Sequence, residues 1–356
     1  MFFIPSQLEV LLLNLSLLEF QLHLSNMEFH LFHIITFLML VLVGTNAAML
    51  PPQLYWQSML PNSPMPKAFT NLLHPAGYWS KEKARDASNG GLDVGVRKGY
   101  EGGGTYLNDE KIIPLIYFYP IPIPLNESQI QLDDKQNVTL FFLKKDLHHG
   151  TKLNLQFKET TSNNNGTKFL PREVANSIPF SSNKMENILN KFSIKEGSKE
   201  AEIVKRTISE CEANGIKGEE KLCVTSLESM VDFTISKLGN NVEAVSTEVD
   251  KNSNGLQQYV IAKGVKKLGE KNKTIVCHKE NYPYAVFYCH KTDSTEVYSV
   301  PLEGVDGNMV KTIAVCHTDT SEWNPKHLAF YVLKVQPGTV PICHILPQDH
   351  VVWVSK

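Results

Sequence analysis

Cys stands immediately before His four times in the C-terminal part of this chain: Cys277-His278, Cys289-His290, Cys316-His317 and Cys343-His344, separated by 10, 25 and 25 residues. Each pair closes an apolar run, as in TIVCH, YAVFYCH, VKTIAVCH and VPICH, so each sits at the end of a predicted strand. Successive side chains in extended backbone leave on opposite faces. The pleat therefore sends the cysteines one way and the histidines the other, which makes a shared Cys/His site of the zinc-finger type hard to build. Disulfides on one side and an imidazole cluster on the other are expected. Neutral imidazole suits copper, zinc, iron and nickel, and copper binds most tightly in the divalent series. A lone His near a strand end is usually a hydrogen-bonded structural residue. Four in one dipeptide context bring the structural and metal-binding readings level.

Disulfides require an oxidising compartment, and the N-terminus points to one. MEFHLFHIITFLMLVLVGTNAAM, from Met27, has an apolar stretch from Ile34 to Val43 and small residues around Ala47 and Ala48, the pattern of a secretory signal peptide over 27–47. The apolar run is too short for a membrane anchor, which needs ~20 such residues. Residues 1–26 read as an upstream extension that the cell does not use. Asn126, Asn137, Asn165 and Asn272 begin N-glycosylation sequons, which fit the same extracellular route. A net charge of −2 over 356 residues offers no basic surface for nucleic acid.

Residues 48–137 are rich in Pro, Gly and Asn, as in LPPQLYWQSMLPNSPMPK and YFYPIPIPLNES, and are expected to hold little packed structure. From Val138 the texture changes. VTLFFLKKDL and LNLQFKE alternate like half-buried strands. Helices are expected over Lys199–Glu212 and Ser226–Leu238, the second with a capping box from Thr225 to Glu228, a stop at Gly239, and a core face of Leu227, Met230, Val231 and Leu238. After Val260 the runs TIVCH, YAVFYCH, EVYSVPL, VKTIAVCH, HLAFYVLKV, VPICH and HVVWV read as short antiparallel strands. The fold class expected is α+β: a β-rich antiparallel C-terminal core with preceding helices and a flexible Pro/Gly-rich N-terminal segment.

The four pairs at these intervals resemble the signature of the BURP domain, a plant-specific secreted family. The resemblance extends through FFLKKDLHHGTKLNLQFKE, FLPREVANSIPFSS, IKGEEKLCVTSLESMVDF, NYPYAVFYCHKT, CHTDTSEWNPKHLAFYVLKVQPGTVPICHILP and DHVVWV, and so covers residues 138–356. YWQSMLPNSPMPKA is similar to the dehydration-responsive branch, although that branch's glycine-rich repeats are missing apart from GLDVGVRKG. The resemblance implies a protein of the cell wall, apoplast or storage vacuole associated with drought, salt and hormone responses. It also implies that His278, His290, His317 and His344 are the metal ligands, because some members are copper-dependent peptide cyclases. Asp319 and His327 are candidate groups around those ligands, with solvated or structural roles the weightier alternative.

The eleven residues between Cys211 and Cys223, with Gly215 and Gly218 to turn on, suit a local disulfide contributing ~3 kcal/mol by loop entropy. Cys277, Cys289, Cys316 and Cys343 could pair in three ways, and spacing does not choose among them.

Two functional readings follow from the resemblance. One is a non-catalytic extracellular module that contacts wall polysaccharide or a wall enzyme. The other is a copper-dependent autocatalytic cyclase acting on an aromatic of its own N-terminal segment: Tyr55, Trp56, Tyr78, Trp79, Tyr117 or Tyr119. No repeated core peptide is present, which favours the first, and linker aromatics more often anchor a tail to its own domain. A structural zinc site ranks below both.

Overall fold

In the computed structural model, residues 51–75, 78, 79, 84, 87, 138–157, 167–249, 256–270 and 272–356 are described. The signal segment, Asn126, Asn137, Asn165, Tyr117 and Tyr119 lie outside them. Among the described residues no helix is long and apolar enough to cross a membrane.

The first described elements are α1 (Pro52–Met59) and α2 (Lys67–Thr70), in a stretch expected to be loosely packed. This corrects that expectation for residues 51–72. Pro52 stands in the first helical turn, where a missing N–H costs nothing, so the proline starts α1 rather than breaking it. Trp56, Leu60, Phe69 and Leu72 are then buried in the main core.

The chain continues through β1 (Phe142–Leu143), a single 3-10 turn over Lys144–Asp146, and β2 (Lys152–Leu155). The strand expected over VTLFFLKKDL is thus only two residues long. It ends at the turn over Lys144–Asp146, where the Lys144 ammonium pairs with the Glu296 carboxylate.

Helices α3 (Arg172–Asn176), α4 (Met185–Lys191) and α5 (Lys199–Glu212) follow. Ser198 caps α5 by accepting the Ala201 N–H at 3.2 Å, and Ala201, Val204 and Ile208 bury one face at helical spacing. After β3 (Glu219–Val224) comes α6 (Leu227–Leu238), which Gly239 ends at a positive φ of 81°. Its capping box lies one residue later than expected. Ser226 and Ser229 exchange the cap bonds, each at 3.1 Å. Glu228 turns inward and its carboxylate receives the Arg172 N–H.

The remaining strands are β4 (Val242–Val245), β5 (Glu248–Val249), β6 (Gln257–Ile261), β7 (Lys266–Leu268), β8 (Thr274–Lys279), β9 (Phe287–Thr292), β10 (Thr295–Gly304) and β11 (Met309–His317). HLAFYVLKV, read as a strand, instead forms α7 (Leu328–Leu333). His327 caps it by accepting the Ala329 N–H at 3.1 Å, and Lys334 stops it in the left-handed region. A continuous apolar run carries neither period; the His327 cap starts the helix, and Leu328, Ala329 and Phe330 are buried in it. The chain closes with β12 (Ile342–Ile345) and β13 (Val351–Ser355).

Among the described residues every strand pair is antiparallel. One sheet runs β1-β12-β11-β10-β6-β2, with β5 added on β11 and β7 on β10; the other runs β3-β9-β8-β13-β4. Val276, Val352 and Val354 of the second sheet pack against Val297, Ile313 and Val315 of the first, so the sheets face each other. The outer face of the second sheet is covered by α6, α1 and α2; the outer face of the first carries its own cluster around Leu153, Tyr259 and Leu302. With both faces covered, β8, β9, β11, β12 and β13 are buried almost throughout, which is why they read as unbroken apolar runs.

Candidate functional site

The pleat sorts the Cys-His pairs as their spacing predicts. Cys277 lies directly opposite Cys289 across β8 and β9, and Cys316 opposite Cys343 across β11 and β12. Both pairs are disulfides, each with Cα atoms 4.0 Å apart, and both point outward, the first among Ile275, Phe287 and Trp353, the second among Phe142, Ala314 and Ile345. Cys211 and Cys223 form the third disulfide, as the eleven-residue loop suggests. All six cysteines are therefore oxidised, and no thiolate is left for a zinc site.

One residue beyond each cysteine, the histidines turn into the space between the sheets. His290 Nε2 lies 3.3 Å from His278 Nε2. The His317 and His344 rings stack at 5.8 Å, and His278 and His344 approach across the sheets at 6.4 Å between ring centroids. All four expected histidines are thus brought together.

Two further residues join them that the spacing did not reveal. His350, just before β13, places Nδ1 3.0 Å from His278 Nδ1. Glu219, the first residue of β3, places Oε1 2.8 Å from His290 Nδ1. Parity was the available signal for His350. Positions 350, 352 and 354 alternate with the outward Val351 and Trp353, so His350 shares the inner side with Val352 and Val354. Nothing in EEKLC singles out Glu219.

The surroundings are apolar and aromatic. Trp323 lies edge-on to His317 at 5.0 Å and against His327 at 4.6 Å, while Phe141 meets both His344 and His327. Burial, followed by repulsion from neighbouring rings, holds His278 and His317 well below the ordinary imidazole range. Burial also lowers His344 to about 3 and His350 to about 4. These rings are neutral at pH 7 and carry lone pairs. For Glu219, burial pushes the carboxyl up, but the hydrogen bonds from His290, the Ile216 N–H and Tyr288 outweigh it and hold the group below the usual range.

This donor set fits a metal that prefers nitrogen: buried imidazoles with no thiolate competing. As placed, no three His, Cys, Asp or Glu side chains among the described residues converge on one metal position. The two closest nitrogen pairs use opposite nitrogens of His278, so a shared ion requires ring rotation.

The other candidates are distributed elsewhere. His327 Nδ1 is occupied as the α7 cap. Asp319 is exposed, its carboxylate accepting the Ser321 N–H at 2.9 Å. Trp56 is buried against Trp353 at 5.2 Å, and the Tyr55 hydroxyl bonds the Asp232 carboxylate. Trp56 thus packs on the outer face of the second sheet, opposite to the side that carries His278 and His290. Tyr78 stacks on His74 at 4.0 Å, with Trp79 edge-on to both. Asn272 is half-buried in a left-handed turn, and Thr274 of its sequon is buried at the start of β8.

A family profile described as the BURP domain matches residues 140–355. BURP domain protein RD22 of Arabidopsis thaliana is 41% identical over 87% of this chain and 95% of its own length. BURP domain-containing protein 3 of Oryza sativa subsp. japonica is 49% identical over 69% of this chain and 56% of its own length. BURP domain-containing protein 5 of the same rice is 43% identical over 88% of this chain and 89% of its own.

Proposed function

We propose, on the premise that this chain belongs to the BURP domain family, that it is a secreted plant protein of the cell wall or apoplast that binds a transition metal, copper first among them, between its two sheets. The observation that carries this reading is the gathering of His278, His290, His317 and His344 on the facing sides of two sheets, each sheet locked by its own cross-strand disulfide. Those four side chains would hold the ion. Trp323 and Phe141 shield the rings from water. Redox-active copper would supply one-electron chemistry that zinc cannot.

The protein acts as a module of the drought and salt response, glycosylated at its sequons and contacting wall polysaccharide or a wall enzyme. The competing reading is an autocatalytic copper-dependent cyclase. The position of Trp56 speaks against that residue as the crosslinked aromatic, since it would have to leave the core to reach the histidines.

Metal analysis of the secreted protein tests the main reading, with a His278→Ala, His317→Ala double variant as comparison. Copper in the parent and its loss from a variant with unchanged circular dichroism are expected. A parent that takes up no transition metal would end the proposal. For cyclisation, intact mass after exposure to copper and oxygen is the measurement. Loss of two hydrogen atoms per crosslink would favour the cyclase; an unchanged mass favours the binding module.

A further inference from the structure

We infer that the Cys211–Cys223 disulfide is a redox-sensitive catch: a dithiol opens it while the other two bridges stay closed, and its opening loosens the loop that holds Glu219 against His290. The bridges differ in access, which governs how readily a thiolate reaches a disulfide sulfur. Cys277, Cys289, Cys316 and Cys343 are all 0% exposed. The first pair is packed with Trp56, Phe69 and Trp353, the second with Phe142, Ala314 and Ile345. Cys211 and Cys223 are only half-buried. They join the last turn of α5 to β3, an edge strand of the second sheet.

That position gives the bridge a mechanical role. Across β3 and β9, Cys223 lies opposite Tyr288, Lys221 opposite His290 and Glu219 opposite Thr292. Residues directly opposite share a side of the sheet, so Glu219, Lys221 and Cys223 lie on the inner side with His290. There the Lys221 ammonium donates to the Glu210 carbonyl of α5 at 3.0 Å, and the Ile216 N–H donates to Glu219 Oε2 at 3.1 Å. Glu219 Oε1 is then 2.8 Å from His290 Nδ1. A hydrogen bond adds little net stability, whereas a disulfide restrains the chain covalently. Opening the bridge removes that restraint from the loop between α5 and β3.

The exchange is balanced by the dithiol. One of its thiolates attacks a bridge sulfur, forming a mixed disulfide as the other cysteine leaves as a thiolate; its second thiol then displaces the first cysteine. The dithiol ends oxidised, with its own internal S–S bond, and Cys211 and Cys223 end as thiols. The consequence for a metal rests on the binding reading above: carboxylates behind ligating histidines commonly alter metal affinity by ~10–100-fold, so loosening Glu219 weakens Cu(II) binding.

The test treats the full secreted chain with graded dithiothreitol, alkylates the thiols and maps them by mass spectrometry. Cys211 and Cys223 should be alkylated at reductant concentrations that leave the other four cysteines unmodified. Opening of all three bridges together, or of a buried one first, overturns the inference. In the singly reduced protein, amide hydrogen exchange over 212–222 should rise relative to the oxidised chain, and unchanged exchange overturns the catch. A Cys211→Ala, Cys223→Ala variant should show the same rise without reductant and, in calorimetric Cu(II) titration, bind ~10-fold or more weakly than the parent. If the variant does not fold, the singly reduced, alkylated chain is titrated in its place. Parent protein that opens selectively but binds no Cu(II) would remove the metal reading and leave the catch standing. Equal affinity despite a loosened loop would overturn the coupling to His290.

Discussion

Glu210, on the buried face of α5, has its carboxyl raised to about 7 by burial, against the partial opposition of Arg206 and Lys221. Its neighbour Glu280 is raised well above the carboxylate range by burial and by Glu210 itself. A folded-state pKa above the unfolded value means that the stabilising contribution is complete below the unfolded pKa and is lost as pH rises through about 7. Glu210→Gln is therefore expected to raise the Tm relative to the parent at pH 8 and to give no such gain at pH 5, as read by thermal unfolding at both values. Legibility at this scale follows chain proximity. The signature histidines were marked by their cysteines and Cys223 by its distance from Cys211. Glu219 reaches His290 across 71 positions of chain, with nothing local to mark it.

Among elements, α1 shows how far composition can mislead. A Pro-rich stretch predicts loose chain, yet a proline in a first helical turn is compatible with helix, and Trp56 supplies the anchor. Its ring packs against Trp353 and Phe69, and its Nε1–H donates to the Ser63 carbonyl at 2.8 Å. Trp56→Ala should cost ~3–5 kcal/mol in denaturant unfolding, as expected for deleting a large buried aromatic. A loss below ~1 kcal/mol would show that α1 is not part of the core. Helices α5 and α6 were legible to within a residue because their caps and stripes are local. The apolar run of α7 was not, since strand and buried helix give the same local pattern.

On the scale of the whole molecule, the two sheets enclose His278, His317, His344 and His350, which burial keeps uncharged. Their folded pKa values lie below the free-imidazole value, so the unfolded chain binds more protons as acid is added. Metal-free protein should lose stability as pH falls below 6.5 toward 4, with His350 alone, lowered to about 4, contributing a loss of ~3 kcal/mol. Denaturant midpoints across that range measure it, and a flat profile would contradict neutral burial of the rings. Saturating copper should raise the stability at pH 7, because an ion bound only by the folded state adds to it.

The strand pleat is a property of neighbouring residues, and it was enough to send sulfur outward and imidazole inward. The disulfide partners within each sheet, the facing of the sheets, the addition of His350 and Glu219 and the docking of Trp56 depended on strand order. Strand order joins segments tens to hundreds of residues apart, and a two-residue periodicity that says which side a residue occupies is silent about what lies opposite.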